Sequence, residues 1–288
     1  MLRQLSFNNF IGQRAVIIAL GAAMAFGAVP ADSAPRPPVE PVVTYADLAD
    51  LADHAPLVLR AQVRKVAVVE PARAPGVRAG WVRLYIEART ETLLSGPPLT
   101  GAGLRYLVDV PLDAKGKLPK LAKRSVLLFA RAVPGRPGEL QLVAPDAQLL
   151  WGPQAELRLR GVLGELLAAG APGRINKVRE AIYVPGNLAG EGETQMFLDT
   201  ADGEPATITV VHTPGAPPRW SVAFSELVDS SGVPPARETL LWYRLACFLP
   251  GALGEGANVS AGPEDAAQAA ADYRFVRSDL GPCPRERR

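Results

Sequence analysis

The chain has 288 residues, 48% of them apolar, with 31 basic and 29 acidic residues, two cysteines and two histidines. That apolar share supports packed cores, and 28 prolines with 27 glycines imply many turns and short elements. The near balance of charge excludes a global attraction to nucleic acid or anionic lipid.

The run from Ala15 to Val29 is shorter than the roughly 20 apolar residues that a spanning helix needs. It reads as the apolar segment of an export leader: Arg3 and Arg14 precede it, and Val29, Pro30 and Ala31 offer a small-x-small cleavage site. The expected cut follows Ala31; Asp32, Ser33 and Ala34 form a poorer site, and an uncleaved anchor is the competing reading. No cysteine lies near the cut, so a lipid-modified N-terminus is excluded. Removing residues 1–31 takes away two arginines and no acid, leaving 29 basic against 29 acidic residues. The expected location is therefore periplasmic or secreted, with no membrane span after cleavage.

Residues 32–43 are proline-rich and read as an extended spacer. Thr44 then caps a short helix, with Asp47 at the capping-box position, Leu48 and Leu51 on one face and Pro56 as its stop. In the following strand Leu57, Leu59, Ala61 and Val63 share a face, and after Lys65 the apolar phase slips to Val66 and Val68, the signature of a β-bulge. Four more strands follow, with inward positions at Val82, Leu84 and Ile86; Leu104, Tyr106 and Val108; Val126 and Leu128; and Leu140 and Leu142. Five strands with a long, bent first strand predict a small closed OB-like barrel, which would hide its own edges. A helix from Pro153, with Leu159, Leu163, Leu166 and Leu167 as its stripe and Gly170 past its end, completes a first domain over residues 44–170.

Residues 171–288 read as an α+β domain with an antiparallel sheet and two C-terminal helices. Its sheet is expected from a strand before the Asp202-Gly203 hairpin turn, a strand after it, and a third through Trp220, Val222 and Phe224 beyond a proline turn. The first helix carries Leu241, Leu245 and Phe248 and stops at Pro250. The second starts at Pro263, has Glu264 and Asp265 in its first turn and Arg274 and Arg277 in its last, and ends at Gly281, all in accord with the helix dipole.

Cys247 lies in the first of these helices and Cys283 just after the second; outside the reducing cytoplasm they are expected to form a disulfide. They lack the Cys-x-x-Cys spacing of a redox-active pair. His54 and His212, each at the end of an element, read as solvated or capping residues rather than ligands. No zinc-protease, serine-hydrolase, phosphate-loop or dinucleotide motif occurs, and no catalytic residue, metal or organic cofactor is expected.

Two surface features suggest binding. The loop holding Lys115, Lys117, Lys120, Lys123 and Arg124 is a candidate anion-binding or partner-binding rim, with outward Trp81 and Tyr85 as stacking surfaces; the alternative is a solubilising loop. Arg219 and Trp220 are residue types enriched at interaction hot spots. The expected partner is a protein, or an anionic glycan or lipid headgroup of the envelope; nucleic acid is not expected after export. The competing class is an envelope hydrolase with paired carboxylates in the second domain. Glu191 and Glu193 around Gly192 are the carboxylates noted there, and exposed turn residues are the plainer reading.

The segments "DLADLADHAPLVLRAQV", "VRLYIEARTETLLSG" and "RSVLLFARAVPG" resemble a class of exported bacterial proteins whose N-terminal part forms an OB-like barrel. The resemblance spans about residues 44–150 and implies a fold more than an activity. Netrin-like and metalloproteinase-inhibitor barrels are broadly similar, but their cysteines have no counterpart in this barrel segment. "YVPGNLAGEGETQMFL" and "LLWYRLACFLP" resemble other exported proteins without an assigned activity.

Overall fold

The computed structural model describes residues 43–98, 101–224, 227–228 and 234–287; the expected leader and, but for Val43, the spacer lie outside them. Two antiparallel sheets and four helices make up the fold. The first sheet contains β1 (Leu57–Val68), β2 (Trp81–Ser95), β3 (Gly103–Pro111), β4 (Ser125–Ala132), β5 (Leu140–Leu142) and β6 (Gln148–Leu150). Its order is β3-β2-β1-β4-β5, with β6 also paired to β4.

All five expected strands of the first sheet form. Their expected inward residues are buried or, at Val82, half-buried. The slip in β1 is real: the register with β2 shifts between Val63 and Lys65, and at two points nearer its start. After the slip Val66 is only half-buried and Val68 is exposed. The expected closed barrel is not formed. β3 meets Glu139, the residue before β5, in one isolated parallel bridge from Arg105, and no β3–β5 ladder follows. The physical reason lies in β5, which lasts three residues before Asp109 N–H takes the carbonyl of Pro145 instead. The sheet therefore stays open along a β3–β5 seam.

At the far end of β2 the Leu-x-Gly-type turn has a steric cause. Gly96 sits at φ +111°, and a Cβ there would collide with the carbonyl of Pro56, so only glycine fits as the chain passes the start of β1.

The helix α1 (Tyr45–Asp53) is capped as expected: the Thr44 hydroxyl accepts from Asp47 N–H at 3.0 Å and donates to its carboxylate at 2.8 Å. The helix α2 (Pro153–Leu166) buries Leu159, Val162 and Leu163, while Leu167, expected in its stripe, is exposed.

The second sheet is β7 (Ile175–Pro185), β8 (Gly192–Thr200), β9 (Ala206–His212), β10 (Arg219–Phe224) and β11 (Leu227–Val228), in the order β11-β10-β9-β8-β7. β8, β9 and β10 fall where the alternation predicts them. β7 was not anticipated, because two register shifts against β8 break its period-two pattern. The helices α3 (Leu240–Phe248) and α4 (Pro263–Leu280) follow as expected. α3 is buried nearly all round, including Trp242 and the charged Arg244. The division expected after residue 170 falls between α2 and β7, and one continuous cluster of buried side chains, from Tyr45 to Leu280, extends on both sides of it.

Two polar systems cross this core. The Arg244 guanidinium grips Asp53 with two bonds of 2.8 and 2.9 Å and donates a third to the carbonyl of Pro172, while Arg174 reaches Asp53 at 2.6 Å. Burial raises the Asp53 pKa, but hydrogen bonds from Arg244 and Arg174 and their charges outweigh it and hold the carboxyl at about 2. On α2, Glu165 accepts from the Tyr45 hydroxyl and from the first N–H of α3, tying three helices together. Cys247 and Cys283 are joined by a disulfide, with Cα atoms 5.1 Å apart. Among the described residues no helix is long and apolar enough to cross a membrane.

Candidate functional site

The open seam of the first sheet creates a cavity of about 630 Å³. Its apolar wall is Leu140, Leu142 and Val143; Tyr85 and Leu107 form the opposite side, and Arg105 stands at its edge. Strand register explains this grouping. Tyr85 pairs with Leu107, Glu87 with Arg105 and Arg83 with Asp109, so these residues share the outer face of β2 and β3. Leu107 is 49% exposed, an outward leucine on an edge strand.

The main chain contributes as well. The N–H groups of Arg105 and Asp109 turn away from β2, to the carbonyls of Gly138 and Pro145. Leu107, midway between them, directs its N–H and C=O the same way by strand alternation. On the other side Val143 and Glu139 bond back to β4, which turns the backbone groups of Leu140 and Leu142 toward the seam. A ligand there meets these side chains beside the backbone of Leu107.

The two arginines of the cavity differ in how far they are committed. Arg83 holds the buried Asp109 with two bonds of 2.7 and 2.8 Å; that hydrogen bonding, with the Asp109 charge, raises its pKa against the effect of burial. Arg105 reaches Glu139 only at 3.9 Å and its side chain is 52% exposed. Arg105 is thus the cation available to an incoming anion. The Tyr106 hydroxyl points inward to Gln148 at 2.7 Å, and burial drives its pKa upward, so it stays protonated as a donor.

Of the residues expected to bind, Tyr85 lines this cavity. Trp81 lies farther along the same face, with the Arg78 guanidinium 4.7 Å from its ring centroid. Lys115, Lys117, Lys120, Lys123 and Arg124 are exposed and lie outside the cavity. Their loop is built by Asp113, whose carboxylate accepts the N–H groups of Lys115 and Lys117 at 2.8 Å each, and Leu121 is buried beneath it. No lysine of the loop forms an ion pair with another described residue. Arg219 and Trp220 belong to the second sheet; Arg219 is exposed, but Trp220 is core, its indole N–H donating to Asp279 at 2.7 Å. The structure therefore does not bring the lysines, Arg219 and Trp220 into one surface. Arg105 and Leu107 were missed, although an outward leucine two places from an outward arginine in "GLRYLVDVP" is a legible departure from polar-out alternation.

A second cavity of about 600 Å³ lies on the second sheet and includes Glu191 and Glu193 in its lining. Glu191 is occupied by the N–H groups of Asn187 and Leu188, and Glu193 by the Gln195 amide at 2.7 Å. His212 sits at the rim. Its Nε2 lies 2.9 Å from a carboxylate oxygen of Asp272, which is buried in α4 and also accepts from Thr194 and Gln268. A carboxylate only accepts, so Nε2 carries the proton. The Tyr183 ring stands edge-on to His212 at 6.0 Å and fills the space where a side chain at Gly192 would lie. This cluster fastens α4 to β8 and β9. His212 is thus bonded to Asp272 rather than merely solvated, and Asp272 carried no sequence signal of its own. No group of acidic, histidine or cysteine side chains suited to a metal occurs among the described residues.

Comparison with protein-family models and with curated proteins finds no match to this chain.

Proposed function

We propose that this chain is an exported binding protein of the bacterial cell envelope, periplasmic or secreted, whose ligand site is the β3–β5 seam. The reading rests above all on Arg105: a half-exposed cation, weakly paired, set at the edge of a cavity lined by Leu107, Leu140 and Leu142. Such a site suits a ligand with an anionic group and a neighbouring apolar segment, held by a charge-assisted bond worth about 1.5–3 kcal/mol plus apolar burial. The strand order β3-β2-β1-β4-β5 supports kinship with exported proteins bearing an OB-like N-terminal part, here opened along one seam. The disulfide supports maturation in an oxidising compartment.

The test is capture. Tagged wild-type protein and the variants Arg105→Glu and Leu107→Asp are incubated with envelope extract, and retained molecules are identified by mass spectrometry. A ligand retained by the wild type and reduced about tenfold or more in both variants is expected. Equal retention by all three proteins, or turnover of a glycan or ester panel by the wild type, overturns the proposal.

A further inference from the structure

Residues 285–287 are held by a dense set of polar contacts. Beyond Cys283, the Arg285 guanidinium makes a two-point bond to Asp50 at 2.6 and 3.0 Å and lies 5.3 Å from the centre of the Phe248 ring. The backbone N–H groups of Glu286 and Arg287 both donate to the Asp47 carboxylate at 3.1 Å. Arg287 reaches the carboxylate of Asp146 at 3.1 Å and its carbonyl at 2.6 Å. These contacts lie between α1 and residues 143–146, along a cavity of about 350 Å³ whose lining includes Asp47, Asp50, His54, Arg78, Asp146 and Arg287. The C-terminal Arg-Glu-Arg is thus an arginine-bearing segment seated on an acidic surface of its own chain.

The anchor of that segment is covalent. Cys283 is pinned to Cys247 of α3 only two residues before Arg285. Without the bond the nearest fixed point is Leu280, buried at the end of α4. The freed residues then regain backbone freedom, which opposes redocking, less so for the two prolines. The ion pairs themselves are partly exposed and individually weak. The disulfide is what makes the docking persistent.

We propose that residues 284–287 are a disulfide-held strap over a guanidinium-binding groove, and that reducing Cys247–Cys283 releases the strap and opens the groove to an arginine-bearing peptide in trans. The step balances with an external dithiol: it gives up two electrons and two protons and closes to its own disulfide, while Cys247 and Cys283 return to thiols. The released groove presents Asp47, Asp50 and Asp146, with Arg78 remaining 3.6 Å from Asp146. The occupant that fits is a basic segment like the one that left, including the C-terminus of a second copy.

Two measurements on the full chain test this. Tryptic cleavage after Arg285, followed by mass spectrometry, is expected to be at least about tenfold faster in Cys247→Ser/Cys283→Ser than in the oxidised wild type. Equal rates in two folded proteins overturn the disulfide's role. The variant Arg285→Ala/Arg287→Ala keeps the disulfide but withdraws both guanidinium groups from Asp50 and Asp146. It is expected to bind a fluorescent Pro-Arg-Glu-Arg-Arg peptide that the oxidised wild type excludes, and to lose that binding when Asp50→Asn is added. Absence of peptide binding by the folded arginine variant overturns the groove's role. Should the cysteine variant fail to fold, the peptide arm alone decides.

Discussion

Two carboxylates, Asp53 and Asp272, carry much of what is particular about this interior, and they are satisfied in different ways. Asp53 is held by two arginines, so its folded pKa of about 2 lies below its ordinary 3.8. A lowered acid contributes stability that is complete above its ordinary value and is lost as pH falls toward its folded one. Stability is therefore expected to drop by about 2 kcal/mol from this group between about pH 4 and pH 2. Urea unfolding across that range checks it, and Asp53→Asn is expected to lack that portion of the slope; an unchanged slope contradicts the assignment. Asp272 instead accepts from Thr194, Gln268 and His212, with its side chain only 3% exposed. Asp272→Ala leaves the buried Thr194 hydroxyl and the half-buried His212 and Gln268 without this partner and is expected to cost about 1–3 kcal/mol in urea unfolding. A loss below about 1 kcal/mol would mean that water replaces the carboxylate. Neither role was legible beforehand. A single aspartate in an amphipathic helix looks alike whether it faces solvent or a histidine sixty positions away.

At the scale of elements, local rules sufficed where the local signal and the tertiary environment agreed. Thr44 and Asp47 start α1, Pro263 and Gly281 bound α4, and the alternation places β1 to β5 and β8 to β10, though not the short β6 and β11. They failed for β7, whose bulges break the period, and for closure of the first sheet, which depends on the short β5 and the detour of residues 143–145 rather than on any strand's own pattern. The candidate cleft was half legible for the same reason. Tyr85 stood out as an outward aromatic, whereas Arg105 becomes a site residue only because the seam beside it stays open. The lysine loop illustrates the converse, a conspicuous run whose fold comes from Asp113 and Leu121. One glycine offers a sharp test of element packing. Gly96→Ala is expected to destabilise by about 2 kcal/mol or more, since it adds both a positive-φ penalty and a clash with the backbone of Pro56. Thermal unfolding measures it, and a change under about 0.5 kcal/mol would show that the β2 turn can move aside.

For the whole molecule, the two sheets and the helices share one apolar cluster, bridged by Glu165, Asp53 and Arg244. Residues 44–170 and 171–287 are accordingly expected to unfold together in one urea transition, with near-ultraviolet and far-ultraviolet circular dichroism coinciding. Two separated transitions would instead favour independent domains. Within that common core, the β3–β5 seam is the place where strand pairing was left unfinished, and the binding account depends on it. The most direct measurement is an amide spectrum of the isotope-labelled protein as the captured envelope ligand is added. The account predicts that the amides of Leu107, Leu140 and Leu142 shift together with those around Arg105, and that Arg105→Glu abolishes the shifts. Unmoved seam amides, with shifts confined to the second sheet around His212, would contradict it.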